Sequence, residues 1–103
     1  APDKFIILPI SEKYHDYAQK VLQLLKNYDI CGPIDIRAER TGRKIRDAEV
    51  SKIPYIIIVG EREQQEDLIT VRKHGGHDLG TISIEDFKEL INKEIEKLIT
   101  FNN

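Results

Sequence analysis

Four groups of residues in this 103-residue sequence have types and spacings that could do chemistry. His74, His77 and Asp78 are close enough to suggest metal ligation. Two histidines in a glycine-rich stretch lack the fixed geometry a helix would give, and no third His or Cys lies nearby, so a solvated polar turn is expected instead. Thr41-Gly42-Arg43-Lys44 echoes a phosphate loop, but Gly42 is not followed by Lys and then Ser or Thr. Arg37 also occupies the place of the earlier glycine, which excludes a nucleoside-triphosphate site of that kind. Glu61, Glu63, Glu66 and Asp67 read as an exposed turn rather than as a buried acid–base pair. No His stands beside a Ser or Cys in a nucleophilic arrangement. Catalysis is not visible.

The fourth group is a segregation of charge. Arg37 to Lys52 holds six cations, namely Arg37, Arg40, Arg43, Lys44, Arg46 and Lys52, against Glu39, Asp47 and Glu49. Arg72 and Lys73, with the two histidines that follow, add to the positive side. Glu61 to Asp67 has one arginine against four carboxylates, and Glu85 to Lys97 three lysines against five. Arginines gathered at one edge can hold phosphates or grip a base with two donors at once. The whole chain, with 16 Lys and Arg against 18 Asp and Glu, has a net charge of −2. That excludes a protein that coats nucleic acid by bulk charge, but permits one that uses a few arginines at one edge.

The scaffold holding these residues is bounded by length and composition. A chain of this size is one domain, with a core that buries roughly two-thirds of its unfolded surface. At 40% hydrophobic and 33% charged residues it belongs to the globular class, not to disordered, collagen or membrane classes. The longest apolar run, Tyr55 to Val59, is far short of the ~18 residues of a membrane helix. The opening Ala-Pro-Asp-Lys shows no basic region followed by an apolar one, so secretion is not expected. The single Cys31 cannot pair within the chain and fits a reducing, cytoplasmic setting as a buried or half-buried thiol.

The pattern predicts an α/β fold. Lys4 to Ile10 is an Ile-rich run suited to a strand buried on both faces. From Glu12 to Asn27, Tyr14, Tyr17, Ala18, Val21, Leu22 and Leu25 recur at helical spacing behind a Ser11 cap. Ile34 to Arg37 alternates as a half-buried strand. Gly42 opens a charged helix burying Ile45 and Ala48, which Pro54 stops before a strand at Tyr55 to Val59. Gly60 to Asp67 is too short and polar for a crossover helix, so Leu68 to Lys73 should return antiparallel. By alternation Arg72 then shares a face with Thr70, opposite Val71. Gly75-Gly76 and Gly80 bracket a turn, and Thr81-Ile82 adds a very short strand. Ser83 and Asp86 cap a last helix with a stripe of Phe87, Leu90, Ile91, Ile95, Leu98 and Ile99. The expectation is three layers: a mixed sheet of four to five strands flanked by three helices. A dinucleotide fold lacks its glycine fingerprint after the first strand, and a receiver domain lacks its acidic cluster there.

The residues also carry a resemblance. Leu8-Pro9-Ile10-Ser11 with Tyr17-Ala18, Asp35-Ile36-Arg37, Gly42-x-Lys44-Ile45-Arg46-Asp47-Ala48-Glu49 and Ile53-Pro54-Tyr55 form its first half. Val59-Gly60-x-x-Glu63, Val71-Arg72 and Asp78-Leu79-Gly80-Thr81-Ile82 form the second. Together, from Lys4 to Ile99, they resemble the carboxy-terminal anticodon-binding domain of class II aminoacyl-tRNA synthetases. The threonyl branch is nearer than the prolyl, histidyl or glycyl branches.

The resemblance implies residues 1–103 as a single domain of a longer synthetase. It implies binding to the anticodon stem-loop of tRNA(Thr), beside a catalytic domain of the same chain, in a parent that is a cytoplasmic, homodimeric, ATP-dependent ligase. ATP, magnesium and zinc are implied for that catalytic domain and none for this one; the alternatives are the anticodon-binding domain of a prolyl, histidyl or glycyl enzyme, or a stand-alone non-catalytic module of the same fold. By motif, the implied anticodon-reading residues are Arg40, Arg46, Glu63 and Arg72. Arg37, Arg43, Lys44 and Lys73 are implied, more weakly, as phosphate contacts. An arginine suits two acceptors of guanine, and a carboxylate suits base amino or imino groups. The sequence departs from the family at Ala38, where Asn is usual, and at Arg40, where Lys is usual; Glu39 is kept.

Overall fold

The computed structural model describes the backbone of residues 3–102 and the side chains of residues 3–96. Its elements in chain order are β1 (Phe5–Pro9), a 3-10 turn (Glu12–Tyr14), α1 (His15–Lys26), α2 (Thr41–Val50), β2 (Tyr55–Val59), α3 (Glu61–Glu66), β3 (Leu68–Lys73), β4 (His77–Ser83) and α4 (Ile84–Asn102).

The two fully apolar runs become the central strands. β1 lies parallel to β2, with Phe5 opposite Tyr55 and Pro9 opposite Val59. β3 pairs antiparallel to β2, and β4 antiparallel to β3, giving a four-stranded mixed sheet in the order β1-β2-β3-β4. Because side chains alternate across a strand, the sheet feeds two cores. Phe5, Ile7, Tyr55, Ile57, Val59, Ile69 and Val71 face one side, where Tyr17, Ala18, Val21 and Leu25 of α1 and Phe87 and Ile91 of α4 cover them. Phe87 stands edge-on to the rings of Phe5 and Tyr55, with centroids 6.3 and 5.4 Å apart, a favoured aromatic arrangement. Leu8 and Ile56 face the other side under Ala48 and Ile45 of α2. The three layers are therefore α1 and α4, the sheet, and α2.

Caps explain where the helices start. Ser11 accepts the Lys13 N–H at 3.3 Å and opens the 3-10 turn that leads into α1. Ser83 accepts the Asp86 N–H at 3.0 Å at the start of α4. Leu98 and Ile99, expected on the apolar stripe of α4, lie outside the residues whose side chains are described.

Four expectations are corrected. Ile34 to Arg37 makes no ladder; it meets β1 only at an isolated parallel bridge between Ile7 and Ile34. Pro9 of β1 has no N–H to extend the pairing, and two bonds of 2.9 Å tie the segment down, Ile7 N–H to Pro33 and Asp35 N–H to Ile7. Gly60 to Asp67 contains a helix, so the described helices number four, with the 3-10 turn besides. The Glu63 carboxylate accepts the Gly60 N–H at 2.7 Å at its start, and Asp67 ends it at φ 55° in the left-handed region. Thr81-Ile82 is part of a seven-residue strand, and Gly80, at φ 78°, sits inside β4 rather than in a turn. There it faces Val71, while Arg72 faces Asp78, so Leu79 is the extra residue of a bulge. Cys31 is exposed, not buried. Among the described residues no helix is long and apolar enough to cross a membrane.

Candidate nucleic-acid interface

The chain leaving β1 turns toward α1 on one face of the sheet, and the chain leaving Ile34 turns toward α2 on the other. Loops that part in this way leave a crevice beyond the carboxyl ends of the strands, where open α/β sheets gather ligands. Here a cleft of about 370 Å³ lies between Pro9-Ile10-Ser11 with His15 and the loop from Ile36 to Arg40. Ile10 and Ile36 stand on it 48% and 63% exposed.

The cations sort by partner. Arg37 is paired twice: its Nε and Nη2 donate to the two Asp35 carboxylate oxygens at 3.0 and 2.8 Å, and Nη2 also donates to Asp47 at 2.9 Å. Hydrogen bonds from Arg37 hold the Asp35 carboxyl below the usual carboxylate range, and those to Asp35 and then Asp47 hold the guanidinium above its own. Lys44 is 3% exposed, and its Nζ donates to the Asp35 backbone oxygen at 2.9 Å. The Lys44 ammonium is thus turned inward and pins the loop that carries Arg40. Arg43 lies 4.0 Å from Glu39 across one helical turn, and Lys73 is 3.4 Å from Glu94.

Arg40, Arg46 and Arg72 differ. Among the described residues none of the three has an ion-pair partner. Arg40 precedes α2, and its carbonyl accepts the Arg43 and Lys44 N–H groups at 3.0 and 3.1 Å, which fixes its place at the helix entrance. Arg46 is exposed on the outer face of α2, beside Gly42 and Arg43, because Ala48 and Ile45 hold the opposite face to the sheet. Arg72 projects on the α2 side of the sheet, as alternation predicts, and its Nε is buried without a hydrogen-bond partner. A buried donor left unpaired costs free energy until an acceptor meets it.

Glu63 is no turn residue in water. One oxygen accepts the Gly60 N–H at 2.7 Å, and the other accepts the Thr70 hydroxyl at 2.9 Å. A Cβ at Gly60 would come 2.7 Å from Ile10 Cδ1, the far end of an exposed side chain that would have to turn aside, and 3.2 Å from the Glu63 oxygen. The neighbouring Tyr17 hydroxyl donates to the Leu68 carbonyl at 2.7 Å, and burial, then Asp67 and Glu63, push it up to about 12.

The paired histidines do not converge. His74 Nδ1 meets Glu49 at 3.0 Å, and His77 opens β4. Among the described residues no three His, Cys, Asp or Glu side chains stand close enough to hold a metal ion. Two features were missed from sequence, the inward turn of Lys44 and the hydroxyls of Thr70 and Thr81. The first has a signal in hindsight, because Lys44 lies four residues before the buried Ala48 and so shares its face.

Residues 4–94 match the family model described as "Anticodon binding domain". The threonine–tRNA ligase of Cytophaga hutchinsonii is 52% identical over 94% of this chain and 15% of its own length. That of Flavobacterium johnsoniae is 49% identical over 95% and 15%. The chain therefore spans about 15% of the length of these relatives. In structure it is similar to the RNA binding domain of threonyl-tRNA synthetase from Cryptosporidium parvum, with a TM-score of 0.83 and 23% identity, over 90% of this chain and 24% of that one.

Proposed function

The chain belongs to the anticodon binding domain family, and from that membership we propose that it docks the anticodon stem-loop of tRNA(Thr) as one domain of a longer threonine–tRNA ligase. The parent is an ATP-dependent, homodimeric ligase whose catalytic domain carries the ATP, magnesium and zinc chemistry. Residues 1–103 supply selection: the stem-loop is held here so that the acceptor end reaches the catalytic domain.

The observation that supports this reading best is the sorting of cations. Among the described residues Arg40, Arg46 and Arg72 have no carboxylate within ion-pair distance, whereas Arg37, Arg43 and Lys73 do. Unpaired guanidinium groups suit base edges, which offer adjacent acceptors in guanine. Arg43 and Lys73, exposed and weakly paired, serve as phosphate contacts, and Arg37 shapes the loop. Glu63 accepts from base imino or amino groups with its remaining lone pairs.

Binding to anticodon stem-loops that differ by single bases tests the proposal. The threonine stem-loop, with an anticodon ending in G-U, should bind about tenfold or more tighter than one ending in G-G, since a mismatched base costs about 1–3 kcal/mol. Preference for the G-G ending would move the chain to the prolyl branch. Equal binding to every sequence would leave only phosphate contact.

A further inference from the structure

Gly60, Glu63, Thr70 and Thr81 form one hydrogen-bonded chain across α3, β3 and β4. After Gly60 and Thr70 have filled one site on each Glu63 oxygen, the Thr70 hydroxyl also lies 2.9 Å from the Thr81 hydroxyl. Counting protons gives the direction. A hydroxyl has one proton to donate, and Thr70 spends its proton on the carboxylate, where the bond is charge-assisted and stronger. Thr81 must then donate to Thr70. Its oxygen is left with lone pairs alone, and so is the pinned carboxylate.

Thr70 and Thr81 face each other in register, on the side of the sheet that carries Arg72. α2 covers the β1–β2 part of that side, over Leu8 and Ile56. Thr70, Arg72 and Thr81 remain half-buried. Glu63 and Thr81 present acceptors there, and Arg72 presents a donor.

We propose that Thr70 and Thr81 are positioning residues for base recognition, which hold the Glu63 carboxylate so that its free lone pairs meet a base edge with adjacent N–H donors, as guanine has and adenine lacks. This rests on the anticodon-reading function above and assigns its purine discrimination to a hydroxyl relay that ends on β4. A Glu63 that only caps α3 would need neither threonine.

The test uses the 103-residue chain and its Thr81→Val and Thr81→Ser variants, with stem-loops carrying G or A at the central anticodon base. Val keeps the shape and removes the proton; Ser keeps the proton. Wild type should favour G, Thr81→Val should lose about fivefold to tenfold of that preference with binding of the A stem-loop little changed, and Thr81→Ser should recover it. The carboxyl-carbon NMR resonance of Glu63, read without RNA, should move in Thr81→Val and return in Thr81→Ser. A preference for G that survives Thr81→Val, or an equal loss on both stem-loops, overturns the relay and leaves anticodon reading intact. A Glu63 resonance indifferent to Thr81 overturns it too. Failure of anticodon reading itself shows separately, as a wild-type chain that binds both stem-loops alike.

Discussion

Replacing Lys44 with methionine separates the two roles open to this residue. Methionine keeps an unbranched stem in the same space but cannot donate to the Asp35 carbonyl, 2.9 Å from Nζ. A hydrogen bond from a charged donor contributes about 1.5–3 kcal/mol. Freeing the ammonium from a site where Lys44 is 3% exposed offsets part of that loss, so the net destabilisation should be about 1–2 kcal/mol. For a domain of this size that lowers the thermal midpoint by roughly 5–15 °C, measurable by far-UV circular dichroism. Stem-loop binding is then followed against salt well below both midpoints. Because the ammonium faces inward, the slope of log affinity against log salt should not change. An unaltered midpoint together with a slope shallower by about 0.7–0.9 would refute the reasoning, because that is the signature of one lost phosphate contact.

Further outcomes follow from the same geometry. Arg46→Ala should weaken stem-loop binding by about 1–3 kcal/mol at one anticodon position, and an equal loss on every base variant would mark Arg46 as a phosphate contact. Gly60→Ala should destabilise the fold by about 1 kcal/mol or less in urea titration, since the new Cβ first meets Ile10 Cδ1, the far end of an exposed side chain, at 2.7 Å; a much larger loss would show that Ile10 cannot turn aside. The raised pKa of Tyr17, about 12 against 10.0, means the folded state holds this proton more tightly than the unfolded state. Its contribution is complete below pH 10 and is lost as pH rises toward 12, so Tyr17→Phe should flatten the fall of stability with pH in that window. For Asp35 the sign is opposite. Its carboxyl is held below 3.8, so its contribution is present above that pH and is lost on acidification through lower values, which an Asp35→Asn variant should abolish.

Elements whose side-chain period is long and unbroken were legible in the sequence. KFIILPI and YIIIV read as strands buried on both faces, and the stripe Tyr17, Ala18, Val21, Leu25 read as a helix, because burial on both sides or one side leaves a direct pattern. α3 was not legible: six residues, all polar, show no apolar period, and the helix is held by the bond from the Gly60 N–H to the Glu63 carboxylate and by the left-handed Asp67. Ile34 to Arg37 has the alternation of a strand, yet Pro9 of β1 has no N–H to continue the ladder and the Arg37 N–H turns to the Asp35 side chain instead. Candidate site residues were named from motifs, but the sorting of cations could not be. Asp35 lies two residues from Arg37 and Glu39 four from Arg43, so half of the pairing is local. Asp47 with Arg37 and Glu94 with Lys73 are brought together only by the fold.

The central claim is that unpaired arginines on the α2 side of the sheet meet anticodon bases. A structure of this chain with the threonine anticodon stem-loop tests it most directly. Splayed anticodon bases are expected over β3 and β4, within hydrogen-bonding distance of Arg46, Arg72 and Glu63, with the cleft at Arg40 occupied by the adjoining nucleotide. A stem-loop lying on the α1 and α4 face, or touching these residues only through phosphates, would contradict it.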